Sequence, residues 1–156
     1  MYDEHWMQYA IQLAKQAELE GEVPVGAVLV ENNQIIGEGW NQLIKQHDPS
    51  AHAEVQAIRS AGQKKQNYRL PNTTLYVTLE PCSMCAGMMI HARISRLVFG
   101  AYDPKTGVVE SCDHLLAADY HNHKIEVCGG VLQAECSQQL KDFFRKKREL
   151  KKERRD

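Results

Sequence analysis

The sequence predicts an α/β protein built on a mixed five-stranded sheet with helices on both faces, and three observations carry that prediction. Segments 23–30 and 34–40 are β-branched and apolar, with a turn signal between them at Asn32-Asn33, so they read as an antiparallel hairpin. Segment 73–79 runs straight into a helical stretch, which is followed by a further apolar strand at 96–101. Strand, helix and strand in succession need a crossover, so part of the sheet is parallel. Finally, 156 residues with 43% hydrophobic and 25% charged side chains suit one globular domain able to bury a core.

The remaining elements follow in order. Residues 3–20 place Trp6, Ala10, Leu13, Ala14 and Ala17 on one helical face, and Gly21 ends the run. Trp40, at the end of the hairpin, is expected in the core. A second helical run covers 52–61, with Ser50 or a neighbour as its cap and Gly62 as its stop, and 63–72 reads as a polar connection. The helix that follows strand 73–79 ends near Arg93. Residues 102–116 form the longest stretch without periodicity, and long loops of that kind often carry function. A short strand at 124–128 stops at Gly129-Gly130. The last helix begins at Gln133, with Leu132, Cys136, Leu140 and Phe143 or Phe144 at helical spacing. There are no internal repeats or low-complexity segments, so residues 1–156 are expected to form a single domain with a basic helix or tail from about 141.

The chemistry concentrates in TLEPCSMCAGMMIHARI at 78–94. Cys82 and Cys85 stand at C-x-x-C spacing at the start of a helix, where unpaired N–H groups and the helix dipole favour thiolates. Residues three apart share a helix face, so both sulfurs can reach one ion. A third ligand is available upstream in Ala51-His52-Ala53-Glu54, at the start of the earlier helix. One imidazole and two thiolates leave a position open, which is the arrangement of a catalytic zinc, whereas structural sites close with four ligands. Glu54 then stands near the metal without binding it. C-x-x-C also occurs in redox motifs and structural zinc sites, so a thiol oxidoreductase and a non-catalytic module with structural zinc remain competing readings.

Charge and cysteine usage narrow the setting. The net charge is −1, but residues 141–156 hold nine Lys/Arg against four Asp/Glu, a balance of +5 on a body of −6. A basic end on an acidic body fits an anionic partner, and a solvated helix face would look the same. Phe143-Phe144 followed by Arg145-Lys146-Lys147-Arg148 adds rings that stack unpaired bases to groups that meet phosphates, with Phe144 the better candidate for the exposed ring. Five cysteines, two of them assigned to metal, suit a reducing compartment, and Cys112, Cys128 and Cys136 have no partner at ligand spacing. No apolar run approaches the roughly 18 residues of a membrane span, and the start MYDEHWMQ lacks a signal-peptide core. A cytoplasmic protein with no membrane partner is expected.

His-x-Glu followed by Pro-Cys-x-x-Cys is the signature of zinc nucleobase deaminases. Beyond it, PVGAVLV at 24–30, IGEGWN at 36–41, HDPSAHAE at 47–54, LYVTLEPCSMCAGMMIHARI at 75–94, VFGAYDPKTG at 98–107 and DFFRKKR at 142–148 resemble the bacterial tRNA-specific adenosine deaminase family over nearly the whole chain. The resemblance implies a three-layer α/β/α cytidine-deaminase-like fold and one zinc per subunit held by His52, Cys82 and Cys85. It implies Glu54 as the catalytic acid/base and hydrolysis of adenosine to inosine, with release of ammonia, at the wobble position of a tRNA anticodon loop, that of an arginine tRNA. It further implies that Asn41 holds the target nucleotide, that Asp103 and Lys105 border the RNA site, and that the protein is a homodimer, while the local aromatic and basic run adds Phe144 and Arg148 as RNA contacts. From the residues alone, Asn41 would pass as a turn residue and Asp103 as part of an Asp-Pro turn. Tyr102, Glu110 and Cys112 depart from the family pattern in the loop after VFGA, which bears on flanking-base preference. Zinc chemistry attacks C4 of cytosine and C6 of adenine alike, so a deaminase of free guanine, cytosine or a pterin-like base on the same fold is the other reading.

Overall fold

The computed structural model describes residues 2–155. The chain runs α1 (Asp3–Leu19), β1 (Gly26–Glu31), β2 (Gln34–Trp40), α2 (Leu43–Gln46), α3 (Ala53–Lys65), β3 (Thr74–Leu79), α4 (Ser83–His91), β4 (Arg96–Ala101), β5 (Glu126–Gly129) and α5 (Gln133–Arg155). The strands form one sheet in the order β2-β1-β3-β4-β5. β2 and β3 are antiparallel to β1, while β3, β4 and β5 are mutually parallel. The mixed five-stranded sheet predicted from the sequence is therefore present.

Alternation along the central strands feeds two cores. Ala27, Leu29, Leu75, Val77, Leu97 and Phe99 face α3 and α4, and Val28, Val30, Tyr76 and Val98 face α1 and the start of α5. Because both faces are covered, these strands read as continuous apolar runs. α1 contributes Trp6, Met7, Ala10, Ile11, Ala14 and Ala17, the 3.6-residue stripe expected of a helix lying on a sheet.

α3 lies very close to β2. A methyl group at Gly39 would stand 2.5 Å from both the Ala53 carbonyl oxygen and the Ala57 nitrogen, and one at Gly37 would run into the Ala57 carbonyl. Glycine at these two positions lets the helix backbone settle onto the strand, which fixes the height of its N-terminal residues above the sheet.

Several boundaries differ from the sequence reading. Strand β1 starts at Gly26 rather than Val23, since Pro24 has no N–H to give a ladder and the Val25 N–H closes a tight turn onto the Val23 carbonyl. Gly62 does not stop the second helical run: α3 continues to Lys65 and ends at Gln66 in the left-handed region, φ 51°. The first part of the expected polar connection is thus helical. The four-residue α2 is an addition, too short to show periodicity, and it forms because the buried Glu22 carboxylate accepts from the Ile44 and Lys45 N–H groups at 3.2 and 2.9 Å. Trp40 is only partly buried, with its indole N–H donating to the Glu20 carboxylate, rather than a core residue. β5 begins at Glu126 and includes Gly129. Among the described residues no helix is long and apolar enough to cross a membrane.

Candidate active site

Cys82 sits at the N-cap of α4 and His52 at the N-cap of α3, each with extended backbone, so two helix starts converge at the same point on one face of the sheet. α4 begins there because the end of β3 passes through Glu80-Pro81, and Pro cannot continue the ladder. α3 begins there for a reason that lies outside its own segment. The Asn41 side-chain oxygen accepts from the Ala53 N–H at 2.9 Å, so a residue at the end of β2 caps the helix. Ser50, the expected cap, instead donates its N–H and hydroxyl to Asp48.

The His52 Nδ1 atom lies 3.7 Å from Cys82 Sγ and 3.5 Å from Cys85 Sγ. A tetrahedral zinc with sulfur at about 2.3 Å and nitrogen at about 2.05 Å holds such a pair about 3.6 Å apart, so the imidazole nitrogen already stands at the required separation from both sulfurs. They are the one His/Cys/Asp/Glu group of ligand spacing among the described residues, and no fourth side chain joins them. The fourth position is left to solvent or substrate.

Electrostatics supports the same arrangement. The Cys82 thiol is pulled down to about 3, first by the hydrogen bond from Cys85, with His52 and the Cys85 N–H adding to it against the cost of burial. Cys85 moves upward through that same bond and its burial. The imidazole of His52 is raised by its bond to Cys82, while burial works against it. A divalent cation held at this point would leave both sulfurs as thiolates, since coordinated thiols are deprotonated outright.

Glu54 is 4% exposed, and burial raises its carboxyl above the ordinary range, with the neighbouring His52 pulling the other way. A carboxylate in that state accepts and returns protons near neutrality more readily than an exposed one.

His52, Glu54 and Cys82 line a cavity of about 310 Å³ together with Gly21, Glu22, Val23, Val25, Asn41, Leu43, Ile44, Leu79, Glu80, Asp103, Thr106 and Lys147. Its size is at the lower end for small-molecule sites. Asp103 reaches the wall, but its carboxylate is engaged by its own loop, accepting from the N–H groups of Lys105 and Thr106 and from the Thr106 hydroxyl. Lys105, Phe144 and Arg148 line a separate surface groove with Lys141, Lys147 and Lys151, and Lys147 belongs to both the groove and the cavity. Phe144 is 41% exposed while Phe143 is more covered, the division expected from helical spacing.

Residues 1–101 match the family model described as the cytidine and deoxycytidylate deaminase zinc-binding region. A Haemophilus influenzae protein named tRNA-specific adenosine deaminase is 58% identical over 152 residues, covering 97% of this chain and 88% of that protein. The chain belongs to the tRNA-specific adenosine deaminase family. A solved structure from a study of A-to-I editing by tRNA:A34 deaminases at the wobble position of transfer RNA superposes with a TM-score of 0.84 at 41% identity, covering 87% of this chain and 99% of that one. A guanine deaminase from Bacillus subtilis is more distant, with a TM-score of 0.62 at 38% identity over 65% of this chain and 66% of that one. The family's three-layer fold is the one described above, and its zinc requirement agrees with a donor set that fits one zinc ion.

In this tRNA-specific adenosine deaminase family member the roles of Glu22 and Glu80 escaped the sequence reading, as did the reach of Lys147, named there only within the basic run, into the cavity. Glu22 anchors α2, Lys147 reaches the cavity from α5, and Glu80 gathers the loop after β4. The signal for Glu80 was present: an acidic residue at the end of an apolar strand, directly before Pro81, has to find donors when that strand is buried.

Proposed function

We propose that this protein converts adenosine to inosine at the wobble position of a tRNA anticodon loop, with an arginine tRNA as substrate, and that it does so as a single-domain, cytoplasmic homodimer. One observation carries the reading: a three-ligand metal site beside a buried carboxylate opens into a nucleotide-sized cavity whose rim includes a lysine of the basic, aromatic α5. His52, Cys82 and Cys85 would hold the zinc. When bound, zinc lowers the pKa of a coordinated water to about 7. Glu54 accepts the proton of the attacking water and passes protons to the ring nitrogen and the departing amine. A C–O bond forms at C6, the exocyclic C–N bond breaks, and ammonia and inosine result.

The surrounding side chains orient the substrate. With its oxygen committed to the Ala53 N–H, Asn41 offers its amide nitrogen to the base. The 103–106 turn forms one wall, and Lys105, Phe144 and Arg148 receive the flanking nucleotides and phosphates along their groove. A base in a loop is already partly unstacked, which lowers the cost of drawing it into the cavity. A free-base deaminase has no use for such a groove, which favours RNA over free guanine or cytosine. The test is incubation of the zinc-loaded protein with an arginine tRNA anticodon hairpin and, separately, with guanine and cytosine. Inosine in the hairpin is expected; ammonia from a free base with no inosine in the hairpin would overturn the proposal.

A further inference from the structure

We propose that Glu80 is a positioning residue for substrate recognition: its buried carboxylate latches the 103–111 loop into the shape that makes it the wall of the nucleotide cavity. The inference rests on the reading of this chain as a tRNA adenosine deaminase.

Glu80 is 3% exposed and makes an unusual number of bonds for one side chain. Oε1 accepts from the Asp103 N–H at 3.0 Å and from the Ser111 hydroxyl, and Oε2 accepts from the N–H groups of Val109, Glu110 and Ser111 at 3.1, 2.8 and 3.0 Å. Both ends of the loop therefore converge on one carboxylate. Three successive N–H groups aimed at a single oxygen form an anion-binding nest. Here the anion belongs to the protein. The Val108 N–H adds a bond to the Pro81 carbonyl at 3.1 Å, so the loop clasps two consecutive residues at the end of β3.

The fit depends on Gly107. A methyl group there would run into the Glu80 carboxyl carbon and stand 2.5 Å from Oε1. The loop passes over the carboxylate at a distance only glycine permits, and this passage presents Asp103 and Thr106 to the cavity. Asp103 spends its own carboxylate within its turn, so the position of that turn relative to the substrate is set by Glu80 and not by the turn itself. Glutamine at position 80 keeps the length and shape but has one acceptor oxygen, so either the Asp103 N–H or the three-N–H nest must lose its acceptor.

The experiment uses the full-length, zinc-loaded protein with Glu80→Gln. The variant is expected to keep one zinc per chain, measured by elemental analysis, and to keep its circular dichroism spectrum. Either amide 103 or amides 109–111, whichever lose their acceptor, should exchange with deuterium about ten- to a hundredfold faster, as charge-assisted bonds are lost. KM for the anticodon hairpin should rise about tenfold with kcat little changed, and discrimination among hairpins that differ beside the target adenosine should weaken. Unchanged exchange or unchanged KM would overturn the inference. So would zinc loss, or a kcat loss at constant KM, either of which would assign Glu80 to the metal site or the chemistry. Should Glu80→Gln fail to fold, Ser111→Ala, which removes a single side-chain bond at an exposed loop position, takes its place. It should raise KM about threefold, and no rise would overturn the inference. A wild-type protein inert on the hairpin refutes the proposed function; an active wild type with an unaltered variant refutes the latch alone.

Discussion

Replacing Gly39 by alanine tests whether the height of α3 above β2 sets the metal geometry. The added methyl would stand 2.5 Å from the Ala53 oxygen and the Ala57 nitrogen and 2.6 Å from Gln56 Cβ, about 1 Å inside ordinary contact. Two of those three atoms are backbone, so the helix has to retreat. Overpacking of this kind costs about 1–3 kcal/mol. For a chain of 156 residues that lowers Tm by roughly 2–12 °C. Ala53 lies between His52 and Glu54, and its N–H is held by Asn41, so a shift of about 1 Å reaches the ligand, the carboxylate and the cap together. A displacement of that size at reacting groups costs about a hundredfold in turnover. Thermal melts of the zinc-loaded protein, competition for zinc with a chromophoric chelator, and inosine formation should all register the change. Gly87→Ala in α4 is the control, because a methyl there meets nothing within 4 Å and should stabilise the helix by about 0.5–1 kcal/mol. A Gly39→Ala protein that melts within a degree of wild type and keeps its zinc affinity would refute the reasoning, as would equal damage from Gly87→Ala.

Other outcomes follow from the site and its supports. Glu54→Gln should lower inosine formation by about a hundred- to ten-thousandfold while zinc content stays at wild-type level, whereas Cys82→Ser should lose the metal; elemental analysis beside the turnover assay separates the two. Phe144→Ala should leave Tm nearly unchanged, since the ring is 41% exposed, but raise KM for the hairpin about ten- to a hundredfold through lost stacking. Arg148→Ala should reduce the slope of log affinity against log salt by about one, and an unchanged slope would remove Arg148 from the phosphate contacts. Asp3 meets Arg96 in a two-bond pair at 2.7 Å and accepts from the Tyr76 hydroxyl at 2.9 Å. The Arg96 bond, set against burial, holds the Asp3 carboxyl below its ordinary 3.8. A depressed carboxyl contributes stability above the unfolded value and loses it as pH falls through the folded one. Asp3→Asn should therefore cost about 1–3 kcal/mol at pH 7 in urea titrations, with the difference from wild type shrinking below 3.8; a difference independent of pH would contradict the pairing.

The sequence made the local chemistry readable and left the long-range geometry hidden. Cys82 and Cys85 are three residues apart on one helix, so their shared face follows from helix pitch alone. β4 could be bounded at both ends, because its apolar run is flanked by a basic residue and a loop. The end of α3 was misplaced, since Gly62 looks like a stop, yet the true stop is Gln66 in a conformation that composition does not reveal. Asn41 looked like a turn residue because its partner, the Ala53 N–H, lies 12 positions away on another element. Glu80 bonds a loop 23 to 31 residues downstream, and no periodicity reports such a contact.

α5 is 23 residues long, and every residue from 144 to 155 is exposed, so its distal half stands clear of the two cores like the arm of a balance. Twelve residues of helix extend about 18 Å, and a tilt of about 10° at the shoulder moves the tip by about 3 Å. Substitutions along the outer arm can thus re-aim its cationic end without disturbing the sheet. On the proposed reading, specificity for the body of the nucleic acid is free to drift beyond Arg148, while Lys147, the one α5 residue that lines the cavity, ties the near end of the arm to it.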